Sequence, residues 1–251
     1  MTTPLRKILD LTPTELTDWL IAHDWPKFRA GQLRRWLFRR RATTFEQMTD
    51  LPQKLREQLA AEFHLFAAEV QSHQVATDRT EKLLLKLTDG EHIECVVMRE
   101  PERVTVCIST QVGCAMGCVF CASGMLGLKR NLSAGEIVEQ VLQMQAVIGA
   151  DEKITNIVVM GIGEPLANLP ALLQSLEAFN SPDDLGLGAG PCPKLAFSRA
   201  RCEVLIDLIA CQKFSYTRDA YLPLHRIPRK DSGHLSVLLD GARLRCCQIR
   251  E

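Results

Sequence analysis

The chain has 251 residues, 46% of them hydrophobic, and its 30 basic residues balance 30 acidic ones. This is the make-up of a globular protein with a real core, built as one large domain or a large one with a small companion. No apolar run reaches the roughly 18 residues of a membrane span, and residues 1–19 hold Arg6, Lys7, Asp10, Glu15 and Asp18 but no signal-peptide h-region, so a cytoplasmic protein off the membrane is expected.

Residues 1–75 read as helical. In Thr12-Pro13-Thr14-Glu15, Thr12 is a cap, Pro13 suits the first turn and Glu15 sits three residues on. Leu16, Trp19 and Leu20 follow at helical spacing. A second helix is predicted over residues 30–41, with Leu33, Trp36 and Leu37 on its apolar face, and a third over 51–66. From Trp25 to Ala42 stand seven basic residues (Lys27, Arg29, Arg34, Arg35, Arg39, Arg40, Arg41) and no acidic one, interleaved with Trp25, Phe28, Trp36 and Phe38. Such a run neutralises phosphates and stacks on bases. The plainer reading is a solvated helix face with its aromatics in the core.

From Lys82 the period changes to two. Residues 82–87, 93–98 and 104–108 read as short strands, with turns at Asp89-Gly90 and Glu100-Pro101-Glu102. The third strand ends beside Cys107 and leads into Cys114-Ala115-Met116-Gly117-Cys118-Val119-Phe120-Cys121, three cysteines at intervals of four and three. The chain has ten cysteines; in a reducing compartment, clustered cysteines are metal ligands or catalysts. Three close thiolates can hold three corners of an iron–sulfur cubane and leave the fourth iron open. Zinc is a second reading, although no second ligand pair follows at zinc-finger spacing. Inert packing cysteines are a third.

Beyond the loop the pattern becomes β/α. Ser133 and Glu136 form a capping box for a helix with Ile137, Val138, Val141, Leu142 and Met144 on its buried face. Residues 154–160 read as a buried parallel strand that ends in Gly161-Ile162-Gly163-Glu164-Pro165, and a helix over 169–179 follows. Glycines there let the backbone approach a ligand, and Glu164 can accept hydrogen bonds from an ammonium group. An ordinary βα turn has the same look.

Together these stretches resemble the radical S-adenosylmethionine (SAM) superfamily, and more closely its RlmN/Cfr branch of RNA adenine methyltransferases. Residues 107–121, including Ser109-Thr110-Gln111-Val112-Gly113, carry the cysteine motif, and residues 159–168 carry the Gly-Glu-Pro segment. Phe28-Arg29-Ala30-Gly31-Gln32-Leu33 and Phe45-Glu46-Gln47-Met48-Thr49-Asp50-Leu51 are similar to the branch's accessory domain. The likeness covers about residues 16–190.

The resemblance implies an α/β fold. It would consist of a helical RNA-binding accessory domain (1–75), a short antiparallel β segment (76–106) and a partial radical SAM (β/α) barrel (107–190). It implies a [4Fe-4S] cluster on Cys114, Cys118 and Cys121, and SAM held through Gly163, Glu164 and Pro165. Glu94 would be the general base for a ring proton, and Cys107 the thiol that releases product by forming a disulfide with a methyl-carrying cysteine. Otherwise Glu94 is a solvated strand carboxylate and Cys107 a core residue. The implied partners are 23S rRNA, tRNA as a second RNA, and an electron donor such as flavodoxin. The implied reaction is methylation at adenine C2, with a Cfr-type C8 enzyme or an inactive RNA- or cluster-binding fragment as alternatives.

Residues 191–251 do not match and show no steady period. Lys194-Leu195-Ala196-Phe197-Ser198 faintly echoes the branch's next strand, and Cys246 and Cys247 stand in unfamiliar surroundings. The expectation is a tail that is truncated or out of frame, in a chain that binds a cluster without completing methyl transfer.

Overall fold

The computed structural model describes residues 5–118, 121–125, 127–149, 151–187, 195–197, 204–205, 238–239 and 242–243. Strand β1 (Arg6–Lys7) precedes helix α1 (Pro13–Ala22). The predicted capping box is present: Glu15 N–H donates to Thr12 Oγ1 at 3.2 Å and Thr12 N–H to the Glu15 carboxylate at 2.8 Å. Helix α2 (Arg29–Phe38) stops short of residue 41, because Arg41 turns to a left-handed φ of 53°. Its guanidinium bonds the carbonyls of Gln145, Gly149 and Glu152. Helix α3 (Gln53–Glu62) ends before residue 66, because β2 (Phe63–His64) pairs in parallel with β1.

Residues 69–75 overturn the expectation of a helical stretch through residue 75. They form β3 (Glu69–Val75), antiparallel to β4 (Glu81–Lys86). Strand β3 is an edge strand exposed on nearly every residue, Val70 and Val75 included, so no apolar alternation marks it in the sequence. Strands β5 (His92–Glu100) and β6 (Arg103–Cys107) complete an antiparallel run within a residue or two of prediction.

The chain then makes a two-stranded ribbon, β7 (Gln111–Gly113) with β8 (Leu128–Asn131), around the one-turn helix α4 (Ala122–Met125). Helix α5 (Ala134–Val147) returns the chain to β9 (Asn156–Val159), which lies parallel to β6. Helix α6 (Leu169–Asn180) leads on to β10 (Leu195–Phe197), parallel to β9, and β11 (Val204–Leu205) closes that edge antiparallel to β10. The sheet order is β11-β10-β9-β6-β5-β4-β3. The antiparallel segment and the β/α part are therefore one sheet, and part of the unmatched tail supplies two strands to it.

The two faces of this sheet differ. Leu83, Leu85, Ile93, Cys95, Val97, Val106, Ile157 and Val159 are buried in one cluster with Ile137, Val141 and Met144 of α5 and Leu172 of α6. Each such side chain contributes about 1.5–3 kcal/mol by leaving water. The N-terminal helices share that cluster through Leu16, Leu20, Leu33 and Leu55. On the other face Leu84, Glu94, Val96, Cys107 and Val158 are only half-buried.

Glu139 fastens α5 to the segment entering β3. Its buried carboxylate accepts the N–H groups of Ala67 at 3.1 Å and Ala68 at 2.7 Å. Burial outweighs these donors and the nearby Lys7, and pushes the carboxyl from 4.5 up to about 7. The folded chain thus holds a proton that the unfolded chain releases, and this group penalises folding increasingly as pH climbs from about 4.5 to 7. Glu139→Gln is expected to flatten the fall in Tm between pH 5 and pH 8; an equal fall in both proteins by scanning calorimetry contradicts this.

Candidate functional site

The parallel strands β6 and β9 keep pairing past their ends. Ile108 N–H donates to Val158 O at 3.0 Å, Gly161 N–H to Ile108 O at 3.0 Å, and Thr110 N–H to Ile162 O at 2.9 Å. The cysteine segment and the Gly-Glu-Pro segment thus leave the sheet side by side, at the C-terminal ends of parallel strands where α/β folds place ligands. Two glycines permit the approach. A Cβ on Gly161 would stand 2.7 Å from Ile108 O, and one on Gly163, at φ 110°, 2.6 Å from Gln111 Cβ.

Buried polar side chains hold the rest. Ser109 Oγ donates to Glu94 O at 2.7 Å and accepts Ile162 N–H at 2.8 Å. Gln140 on α5 accepts Ser109 N–H at 2.7 Å and donates to Ser109 O at 2.9 Å. Gln111 Oε1 accepts Glu164 N–H at 2.8 Å while its Nε2 donates to Asn131 Oδ1 at 2.7 Å. Asn168 Nδ2 donates to the carbonyls of Thr110 and Leu132, each at 2.8 Å. Glu164 is buried, and its carboxylate accepts Leu166 N–H at 3.4 Å at the start of a single 3-10 turn. Thr110 Oγ1 is buried with no hydrogen-bond partner among the described residues.

The three loop cysteines emerge from this frame. Gly113, at φ 74°, has no room for a Cβ beside the Gly127 carbonyl, which accepts Cys114 N–H at 3.0 Å. Cys121 N–H donates to Cys118 O at 3.0 Å, and both residues are half-buried. Two anchors hold the loop's exit: Lys129 pairs with Glu91 at 2.6 Å, and Arg130 joins Asp89 to the buried Glu136. Among the described residues, no three His, Cys, Asp or Glu side chains are already gathered as a metal set. The donor set itself, three soft sulfurs on one short anchored loop with Cys114 buried and Cys118 and Cys121 half-buried, fits an iron–sulfur cluster.

Cys95 marks the contrast. It lies on the oily face, and burial pushes its thiol up to about 12, as suits a packing cysteine. Cys107 sits in register with Val96 and Val158 on the half-open face, which Glu94 shares. Burial raises the Cys107 thiol, with a Met160 N–H partly opposing it. The Glu94 carboxylate meets Lys82 Nζ at 2.9 Å in a pair open enough to contribute little. The five described cysteines are all free, so the expected disulfide finds no support among them.

The basic run is only partly an open surface. Arg34 makes a two-pronged pair with the buried Asp184, its Nε reaching Oδ1 at 2.8 Å, and Arg39 bonds the Pro182 carbonyl. Trp25 and Trp36 donate to Gln58 and Asp50, and Phe38 is buried. The acids that seem missing from residues 25–42 come from elsewhere in the chain. Lys27, Phe28, Arg35 and Arg40 stay exposed, and Lys27 and Arg35 line a cleft of about 560 Å³ between α1, α2 and the ends of α5 and α6.

The family model described as the ribosomal RNA large subunit methyltransferase N-terminal domain matches residues 6–65. A probable dual-specificity RNA methyltransferase RlmN of Rhodopirellula baltica is 48% identical over 209 residues, 83% of this chain and 56% of that protein. The chain belongs to the RlmN family. A second RlmN, of Geobacillus kaustophilus, is 48% identical over 74% of this chain and 51% of its own. The crystal structure of a radical SAM methyltransferase from Sphaerobacter thermophilus superposes with a TM-score of 0.70 at 41% identity, covering 73% of this chain and 54% of that one. The chain spans about half the length of the RlmN proteins it matches.

Sequence spacing offers no signal for Gln140, Asn131 or Asn168, which act across long chain separations. Ser109 and Gln111 were visible only as neighbours of the cysteines. Ser198, Cys246 and Cys247 lie outside the described residues. Gly163→Ala is expected to destabilise the chain by about 1–3 kcal/mol in urea unfolding, from its backbone conformation and the clash with Gln111. Gly149→Ala, with open space around it, should change stability by less than about 0.5 kcal/mol.

Proposed function

We propose that this chain carries the cluster- and SAM-binding part of a radical SAM RNA methyltransferase directed to C2 of an adenine in 23S rRNA, with tRNA as a second substrate, and that by itself it is incomplete for turnover. One observation supports this above the others. The cysteine loop and the Gly-Glu-Pro turn stand together at the ends of adjoining parallel strands, the first of which ends in Cys107. When bound, a [4Fe-4S] cluster with SAM supplies one-electron chemistry able to functionalise an unreactive ring carbon.

The chain's own residues bind and position. Cys114, Cys118 and Cys121 hold three irons. Gly163, Glu164 and Pro165 receive the amino-acid end of SAM. Glu94 takes the ring proton, for which it must let go of Lys82. Cys107, as the thiolate, attacks the sulfur of the second cysteine that carries the product; the S–S bond forms as that sulfur's bond to the product carbon breaks, and the carbon takes up a proton. The raised Cys107 thiol has to lose a proton first, so this step gains as pH rises toward the thiol's own titration range. The working place is the reducing cytoplasm, with an electron donor such as flavodoxin.

Anaerobic reconstitution should give about four irons per chain and a spectral change on adding SAM. Cys118→Ser should lose the iron and Cys95→Ala keep it. Bound zinc without iron, or iron retained equally by both variants, overturns the assignment. Mass spectrometry of methylated RNA checks the ring position, and a methyl group at C8 instead of C2 overturns that part. Lys27→Glu and Arg35→Glu should each weaken RNA binding and lower the salt slope by about one.

A further inference from the structure

Gln111 stands where both ligand-holding segments meet. It lies three residues before Cys114, at the entrance to the cysteine loop, and its two amide ends point to different places. The Oε1 end accepts Glu164 N–H at 2.8 Å, and the Nε2 end donates to Asn131 Oδ1 at 2.7 Å. Asn131 is the last residue of β8, the strand by which the loop returns, and it is exposed. Its own Nδ2 donates onward to the Ala167 carbonyl at 3.3 Å, just past the Gly-Glu-Pro turn. Gln111 and Asn131 also pair directly across the β7–β8 ribbon. One amide pair thus touches the loop's entrance, the loop's exit and both sides of the turn. The fit is close, since a Cβ on Gly163 would meet Gln111 Cβ at 2.6 Å and Cγ at 2.8 Å.

We propose that the Gln111–Asn131 amide pair is a positioning device that fixes Glu164 relative to the three cysteines, and thereby sets how well SAM docks once a cluster is in place. The inference rests on the functional reading above. An amide suits this task. Its acceptor end satisfies a backbone N–H, and its donor end keeps the side chain from rotating away. A carboxylate at position 111 could accept from Glu164 but would face Asn131 Oδ1 with no proton to offer. Neither residue touches iron or SAM in this scheme; they act through Glu164 and the ribbon, as outer partners do at metal sites.

The test uses Gln111→Ala, Asn131→Ala and Asn131→Asp in the full chain. Asn131→Asp keeps the acceptor for Gln111 and is the rescue variant. Hydrogen exchange of the metal-free proteins reports directly on the Glu164 amide. It should exchange faster in both alanine variants and near the wild-type rate in Asn131→Asp. After anaerobic reconstitution, both alanine variants should keep wild-type iron and sulfide, yet bind SAM about 10- to 100-fold more weakly by equilibrium dialysis, with a smaller SAM-induced spectral change. Unchanged Glu164 exchange, or unchanged SAM affinity at full iron content, overturns the proposal. Iron lost in step with SAM binding also overturns it, because the pair then serves only to keep the loop folded. A wild-type chain that holds iron but does not respond to SAM overturns the functional reading and this inference with it; a wild-type response matched by both alanine variants overturns this inference alone.

Discussion

Everything proposed for this chain depends on a short zip of backbone hydrogen bonds, where residues 108–111 run beside residues 158–164 beyond the ends of β6 and β9. Residues 108–111 are buried, while Gly161 is exposed and Ile162 and Gly163 are half-buried, so the polar groups on the buried side have to be matched within the protein. Ser109, Gln140, Gln111 and Asn168 do the matching. Their positions explain why Gly161 and Gly163 carry no side chain: the space is already filled by the opposite segment.

The sheet divides the labour between its faces. Packing against α5 and α6 keeps one face closed, with Cys95 as an inert part of that layer. The opposite face keeps Glu94 and Cys107 half-open among Leu84, Val96 and Val158, a setting where a thiol and a carboxylate can react yet stay in fixed register. Two cysteines twelve residues apart thus have opposite fates, because Cys95 and Cys107 project from opposite sides of one sheet.

Charge is likewise used in two ways. Arg34, Arg39 and Arg41 leave the basic stretch to fasten the helical end onto α5, α6 and the loop before β9. Arg130 and Lys7 do the same at Glu136, whose carboxyl they hold below its usual range against the opposing effect of burial. Arg29 and Arg40 bond around Asp50, which leaves Lys27 and Arg35 at a cleft that Glu177, Asp183 and Asp184 also line.

Local chemistry was legible in the sequence. The capping boxes at Thr12 and Ser133 and the strands over 82–108 follow from spacing rules that act over a few residues, and the structure bears them out; the cysteine spacing and the glycine turn are just as local. Long-range pairing was not legible. An edge strand wet on both faces leaves no apolar period, so β3 passed for helix. Residues 191–251 show no period, yet Leu195–Phe197 joins the sheet because a partner strand, β9, accepts its backbone whatever the side chains. The basic stretch looked uncompensated because its acids, Asp50 and Asp184, arrive only through folding. The sequence by itself determined the cysteine spacing and where the chain must turn; the tertiary structure decided which segments meet, because amide pairs such as Gln111 with Glu164 form between residues that no local spacing rule connects.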